Sequence, residues 1–263
     1  MPLIVYTLPN WVLGLALVAL WLVAAQALCA LFPDRWRERV TDLDRSVVLA
    51  SLGVIATMNS LLLAFSAVSA WEAFGSADTA VQREGTAITQ LARSLSLYDT
   101  APSRLARERL RAYGRSVVTQ EWPAMLQDKP SLSTRDALDG LFTALGDLKP
   151  TTSSQTALLN QAWTQANDLL THRRERLQAS KAKVPRTLWI VVLAGSLLTL
   201  VPLAAAPKGA SSRCALFAVA AALALVFHFV ATMDRPFLGS ERVTPEAIED
   251  ALGIVQRLSA RTP

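Results

Sequence analysis

The chain of 263 residues has little from which most active sites are built: two cysteines, two histidines, 11 glycines, and charged side chains at only 18% of positions. Cys29 and Cys214 lie inside or at the edge of apolar runs, so they do not form a secreted disulfide framework and are expected to be buried, inert thiols. His172 and His228 stand far apart in the sequence, and no H-E-x-x-H, G-x-G-x-x-G, P-loop or G-x-S-x-G pattern occurs. Catalysis, a metal centre and a resident cofactor are therefore not expected. The net charge of +5 does not by itself point to nucleic acid, because the arginines share the chain with uncharged runs long enough to cross a bilayer.

What the chain has in plenty is apolar side chains, 52% of residues, with a mean hydropathy of +0.31. That excludes disorder and points to a membrane protein. Four segments lack Asp, Glu, Lys and Arg over the roughly 20 residues a spanning helix needs: about Trp11 to Phe32, Val47 to Trp71, Thr187 to Pro207 and Cys214 to Met233. Backbone groups in lipid must bond within their own segment or in a closed barrel, and long unalternating runs of Leu, Ala and Val suit only helices. The expected fold is all-α, a four-span transmembrane bundle. The first run is expected to be a retained span rather than a signal peptide, since Met1 to Asn10 offers no Lys or Arg. Trp11, Trp36, Trp71 and Trp189 fall at or near span ends, where an indole keeps its ring apolar and its N–H wet, while Trp21 sits mid-span.

An even number of spans places both termini and the long segment from Glu72 to Arg186 on one side. Near the spans that side carries Arg83, Arg173, Arg174, Arg176, Lys181, Lys183, Arg186, Arg235 and Arg242, nine cations against the six of Arg35, Arg37, Arg39, Arg45, Lys208 and Arg213. The excess puts the termini and the long segment in the cytoplasm. The basic run from Arg173 to Arg186 has two readings, solvated topology anchors or a collar that gathers anions or touches anionic lipid.

The long segment has apolar stripes at helical spacing: Val81, Ile88, Leu91 and Leu95; Leu105, Leu110, Tyr113 and Val117; Leu138, Leu141, Phe142, Leu145 and Leu148; Leu158, Leu159, Ala162, Leu169, Leu170 and Leu177. Breakers separate them at Asp99 to Pro102, Pro123 to Pro130 and Lys149 to Thr152. Four amphipathic helices are expected, the first continuing the second span directly and the last separated from the third span only by Pro185. Pro102 with Ser103 suits one helix start, and Ser133 with Asp136 resembles a weak capping box. A tail helix capped by Thr244 presents Ile248, Leu252, Val255 and Leu258 on one face, which needs a partner. The expected organisation is 1–71 for spans one and two, 72–186 for the cytoplasmic bundle, 187–233 for spans three and four, and 234–263 for the tail.

Polar residues inside spans carry the functional information, since each needs a partner or a wet path. On a helical wheel Ser51, Ile55, Asn59, Leu62, Ser66 and Ser69 share one face of the second span, and Gly53, Ala56, Ser60, Ala64 and Ala67 an adjacent face of small residues suited to close packing. If copies surround an axis, Asn59 and the serines wet a pore that Ile55 and Leu62 constrict. Alternatively Asn59 bonds across to Gln26 or a backbone carbonyl inside one bundle. His228, between Phe227 and Phe229, is either a neutral hydrogen-bonded residue between helices or a proton-sensitive one.

The run Glu84–Leu97, Arg109 and Tyr113, then Val117-Val118-x-x-Glu121-Trp122-Pro123, Leu177 to Pro185 with Leu188-Trp189, and finally Asp234-Arg235-Pro236-Phe237-x-Gly239 with Val243-x-Pro245, resembles the bacterial bestrophin-like family. The resemblance covers nearly the whole chain, and the last two blocks are its most specific part. It implies four membrane helices with a large cytoplasmic part between the second and third, in a homo-oligomer, a pentamer, that conducts chloride or other small inorganic ions through a neck lined by the second helix. It implies a multi-pass protein of the bacterial inner membrane, with the lipid bilayer as its surroundings, and the wheel then puts Ile55, Asn59, Leu62, Ser66 and Ser69 at the pore, where the chain lacks the family's neck pattern of spaced Ile and Phe. No acidic calcium clasp is recognisable in this chain. The second reading is a membrane-anchored helical scaffold or sensor whose cytoplasmic bundle binds a protein partner.

Overall fold

The computed structural model describes residues 9–33, 42–127, 129, 131–206 and 209–260. Arg35, Trp36, Arg37, Arg39, Pro130, Pro207 and Lys208, and the side chain of Arg45, lie outside the described residues. Every described element is helical: α1 Asn10–Leu31, α2 Asp42–Tyr98, α3 Ala101–Ser116, a π-helical turn Val117–Glu121, α4 Trp122–Leu126, α5 Leu132–Gly146, α6 Ser153–Ala179, α7 Arg186–Ala205, α8 Ala210–Met233 and α9 Glu246–Ala260. Four of them, α1, α2, α7 and α8, are long and apolar enough to cross a membrane. This is an all-α membrane protein.

Helix α2 contains no proline, so nothing interrupts its hydrogen bonds over 57 residues, roughly 85 Å at about 1.5 Å per residue. It ends where Asp99 takes a left-handed conformation, φ 40°, the αL position after a helix C-terminus that short polar side chains tolerate. Thr100 and Ser103 then cap α3 reciprocally, Ser103 N–H on Thr100 Oγ1 at 3.3 Å and Thr100 N–H on Ser103 Oγ at 2.9 Å.

Two helix starts differ from the sequence reading. Ser131, not Ser133, caps α5 by accepting the Thr134 N–H. The expected break at Pro123 does not occur there, because Pro123 occupies the first turn of α4, where its missing N–H costs nothing. The chain reaches that turn through a π bulge closed by Trp122 N–H on the Val117 carbonyl. The interruption before α7 is also longer than Pro185 alone, since α6 stops at Ala179.

The chain forms two compact units. The first comprises residues 1–74, 183–235 and 239–241; the second 75–182, 236–238 and 242–263. In the first, Trp21 and Ala25 of α1, Leu63 of α2, Val192 and Leu200 of α7, and Leu216, Ala220, Ala224 and Phe227 of α8 form a buried cluster. Trp21 and Trp189 both stack on Phe227, with ring centroids 5.1 and 6.0 Å away. Trp189 is thus not an interfacial indole, for its Nε1 is buried without a partner. Cys29 is half-buried, but Cys214 is exposed, contrary to the expectation for both thiols.

In the second unit Ile88, Leu91, Leu95, Leu110, Tyr113, Leu138, Leu141, Leu145 and Leu169 are all buried. The apolar face of α9 finds its partner within the same chain. Ile248, Ala251 and Val255 are buried, and α9 approaches so closely that a Cβ on Gly85 would stand 2.5 Å from the Ala247 carbonyl oxygen, and one on Gly114 2.8 Å from Leu252 Cδ2. Two glycines therefore form the seat for the tail helix.

Candidate functional site

Helix α2 supplies the candidate ion path, and in the first unit it has one covered side. Asn59 is 4% exposed and Ser66 1%, with Leu63 and Ala70 equally buried beside them. The Asn59 carboxamide donates through Nδ2 to Ser196 Oγ of α7 at 3.0 Å. It sits against Gly195, where a Cβ would collide with Asn59 Oδ1. Ser66 turns inward on its own helix, its hydroxyl donating to the Leu62 carbonyl at 2.8 Å.

The two faces read from the wheel are thus placed differently by the packing of one copy. Of the five expected pore residues, Asn59 and Ser66 lie on the packed side, Ile55 and Leu62 on its flank, half-buried, and Ser69 is exposed. The small-residue face is divided instead, with Gly53, Ser60 and Ala64 exposed and nothing within 4 Å of a Cβ at Gly53, while Ala56 and Ala67 are half-buried and Ala67 packs beside Ala70, Val184 and Val230. The reason is geometric: Asn59 needs a hydrogen bond, and Gly195 with Ser196 on α7 offers both the room and the acceptor. Val54, Met58, Leu61, Phe65 and Val68 make up the bulky part of the open arc.

His228 of α8 lies with its ring 3.5–3.7 Å from where a Gly14 Cβ would stand. It is half-buried, and its Nδ1 is enclosed without a hydrogen-bond partner, so the reading of a hydrogen-bonded residue is not met at that atom. The residues of the most specific sequence block form a turn. Asp234 is buried and accepts the Val184 N–H at 2.7 Å. Arg235 follows it half-buried, and the Pro236 carbonyl accepts the Val243 N–H at 2.8 Å. Phe237 meets the Trp122 ring edge-on at 5.5 Å, and Gly239 takes φ 94°, a backbone setting that excludes other residues.

In the second unit the structure gathers five side chains whose association the sequence reading did not anticipate. Arg176, fully buried, donates from Nε to Glu84 Oε2 at 2.6 Å and from Nη2 to Glu121 Oε2 at 2.6 Å. Arg173 donates from Nε to both Glu121 oxygens at 3.2 and 3.1 Å. Tyr113 donates to Glu84 Oε1 at 2.6 Å, and the Arg176 guanidinium stands 5.7 Å from the Trp122 ring centre. Two carboxylates and two guanidiniums make the cluster neutral. Burial alone raises a carboxyl, but the hydrogen bonds and charges of Arg173 and Arg176 outweigh it and hold Glu121 below the usual carboxylate range. Burial, reinforced by Glu84, pushes the Tyr113 phenol well up.

Arg173 and Arg176 are therefore neither solvated anchors nor an anion collar. The clue lay in their register: they follow Leu169 by four and seven residues on one stripe, just as Glu84 lies between Val81 and Ile88 on another. A charge on a buried stripe demands an opposite charge on the facing one.

The sequence matches the family model described as Bestrophin-like domain over residues 16–248. No curated protein matches it. Among solved structures, the fold is similar to a crystal structure of a variant bacterial bestrophin homologue from Klebsiella pneumoniae, with TM-score 0.71, 13% identity, and coverage of 94% of this chain and 99% of that one. A second variant of that homologue gives TM-score 0.70 at 13% identity, covering 93% and 98%. A crystal structure described as a variant membrane protein gives TM-score 0.71 at 12% identity, covering 94% and 99%. At such identities these likenesses show a shared fold.

Proposed function

The chain belongs to the Bestrophin-like family, and from that premise we propose that it is the subunit of a homo-oligomeric channel for small inorganic ions, with anions favoured and α2 lining the path. The observation that carries this reading is the placement of α2. It is a single helix of 57 residues, with one side packed on α7 and a bulky apolar arc, Val54, Met58, Leu61, Phe65 and Val68, left open in the isolated copy. Copies arranged around an axis with this arc inward form a dry constriction of the kind that gates by dewetting. The pore assignment therefore moves from Asn59 and Ser66 to Leu61 and Phe65, with Ser69 and the half-buried Leu62 kept at its margin. Pentameric assembly and anion preference rest on the family resemblance. Residence in the bacterial inner membrane with cytoplasmic termini rests on that resemblance and on the excess of cations near one set of span ends.

The test is salt efflux from proteoliposomes loaded with chloride salts and then with potassium salts of an impermeant anion. Flux above protein-free vesicles is expected, greater for chloride, and Leu61→Ser or Phe65→Ser should raise it several-fold by wetting the constriction. Efflux equal to that of empty vesicles for both salts, with no change in either variant, leaves the scaffold reading in its place.

A further inference from the structure

We propose that Asn59 is a positioning residue whose hydrogen bond to Ser196, seated in the notch left by Gly195, fixes the rotation of α2 about its own axis. It thereby decides which face of α2 is open. The inference rests on the reading of α2 as the lining helix and explains how one setting of that helix is chosen.

Apart from Ser66, the buried residues on the packed side of α2 beside Asn59 are apolar. Leu63 is buried one turn from Asn59 and Ala70 further along the same side, yet such contacts discriminate weakly between rotational settings in a membrane, because lipid tails solvate a leucine as well as a neighbouring helix does. A carboxamide is different. It is directional, and leaving it unpaired in hydrocarbon is costly. The other buried hydroxyls of this seam do not compete for the role, since Ser66 bonds to the Leu62 carbonyl of its own helix and Thr199 to the Gly195 carbonyl of its own.

Gly195 completes the device. A Cβ there would overlap Asn59 Oδ1, so the carboxamide reaches Ser196 only because residue 195 has no side chain. Turning α2 by one residue, about 100°, would replace Asn59 in the notch by Met58 or Ser60 and carry the carboxamide toward the open arc. The bond to Ser196 holds the setting in which Val54, Met58, Leu61 and Phe65 face away from α7.

The experiment maps the exposed stripe of α2 directly. In the full chain with Cys29 and Cys214 replaced by Ala, single cysteines are placed at Val54, Ile55, Met58, Leu61, Leu62, Leu63 and Phe65 in reconstituted protein. Their labelling rates are measured with a membrane-impermeant maleimide and with a bilayer-soluble one. In the parent, positions 54, 58, 61 and 65 should label at least about tenfold faster than 63, in line with their exposure. Asn59→Leu and Gly195→Ala should each shift the stripe, raising labelling at 55 or 62 or 63 while lowering it at positions on the far edge. Gly195→Ala is the gentler variant, because the atom its methyl displaces is the end of a rotatable side chain. Ser196→Thr retains the acceptor and should keep the parent pattern, whereas Ser196→Ala should not.

The same stripe in Asn59→Leu, Gly195→Ala and Ser196→Ala as in the parent, with each protein still assembled, overturns the proposal. A parent stripe that labels only from the bilayer phase instead removes the channel reading, while the shift between variants still decides the role of Asn59.

Discussion

The two compact units differ in how they bury charge, although both enclose neutral polar atoms without partners, Tyr98 Oη and Gln165 Oε1 in the second among them. In the second, four charges and a phenol converge so that nearly every donor meets an acceptor, and the cluster is neutral as a whole. In the first, the buried polar groups within the spans are single and uncharged, and the one buried carboxylate among the described residues, Asp234, stands at the end of α8 with the Val184 N–H as a partner. Asn59 makes one hydrogen bond to Ser196, and Asn59 Oδ1, Trp189 Nε1 and His228 Nδ1 are enclosed without partners. A unit without membrane-spanning runs can assemble ions before it closes, because charge is welcome on an unfolded chain in water. A helix that crosses lipid meets the cost of every ion at insertion, so the spans bury isolated neutral groups and the carboxylate of Asp234 comes only where α8 ends. The charge cluster of the second unit joins four helical segments, whereas the Asn59–Ser196 bond of the first joins two.

The sharpest way to break this contrast is to remove one charge from the cluster. Arg176→Met leaves Glu84 and Glu121 facing each other without their shared cation and should cost about 3–5 kcal/mol of stability, read as a large fall in melting temperature of the purified protein. Adding Glu84→Gln to that variant should recover part of the loss. A single variant that melts like the parent would show the cluster to be solvated.

Tyr113→Phe removes one hydrogen bond to a carboxylate and should cost about 1.5–3 kcal/mol in the same measurement. The pH dependence sharpens the point. Because the Glu121 carboxyl is held below its ordinary value of 4.5, its stabilisation is present above that value and is lost as pH falls through the lower folded value. Melting temperature should therefore drop on acidification from pH 4.5 downward, and Glu121→Gln should flatten that arm while lowering the plateau. Tyr113 is held above 10.0, so its contribution is present below that pH and lost as pH rises through the folded value, an arm that Tyr113→Phe removes.

Gly85→Ala tests the seat of α9. Its methyl would press on a backbone carbonyl, which cannot swing aside, so about 1–3 kcal/mol should be lost and limited proteolysis should release the tail. The smallest stability effect belongs to the membrane side. Asn59→Ala should cost only about 0.6 kcal/mol, the usual worth of a hydrogen bond between spans, while the labelled stripe on α2 moves. An Asn59→Ala effect as large as that of Arg176→Met would erase the distinction between the two units.

Much of this was legible because it is local. The ends of the spans follow from where charge stops, and the end of α2 at Tyr98 from the absence of any breaker before Asp99. Glu84, Tyr113, Glu121 and Trp122 stood in the sequence blocks that carry the family resemblance, yet Arg173 and Arg176 did not, and they looked like part of a solvated basic run. The wheel of α2 was ambiguous for a related reason. Its membrane stretch is apolar all round, so small and polar residues alternate without a strong preference for one side, and periodicity cannot choose between them.

The sequence by itself determined that four segments are membrane helices and that the stretches between breakers are helical, because each backbone hydrogen bond in a helix closes within four residues and hydrocarbon otherwise admits only a closed barrel, which long unalternating apolar runs do not suit. The tertiary structure alone decided which side of α2 is covered and which cations are buried. Asn59 reaches Ser196 across 137 positions and Arg176 reaches Glu84 across 92, and a choice among such distant partners depends on the packed shape of facing helices, down to the missing Cβ of Gly195.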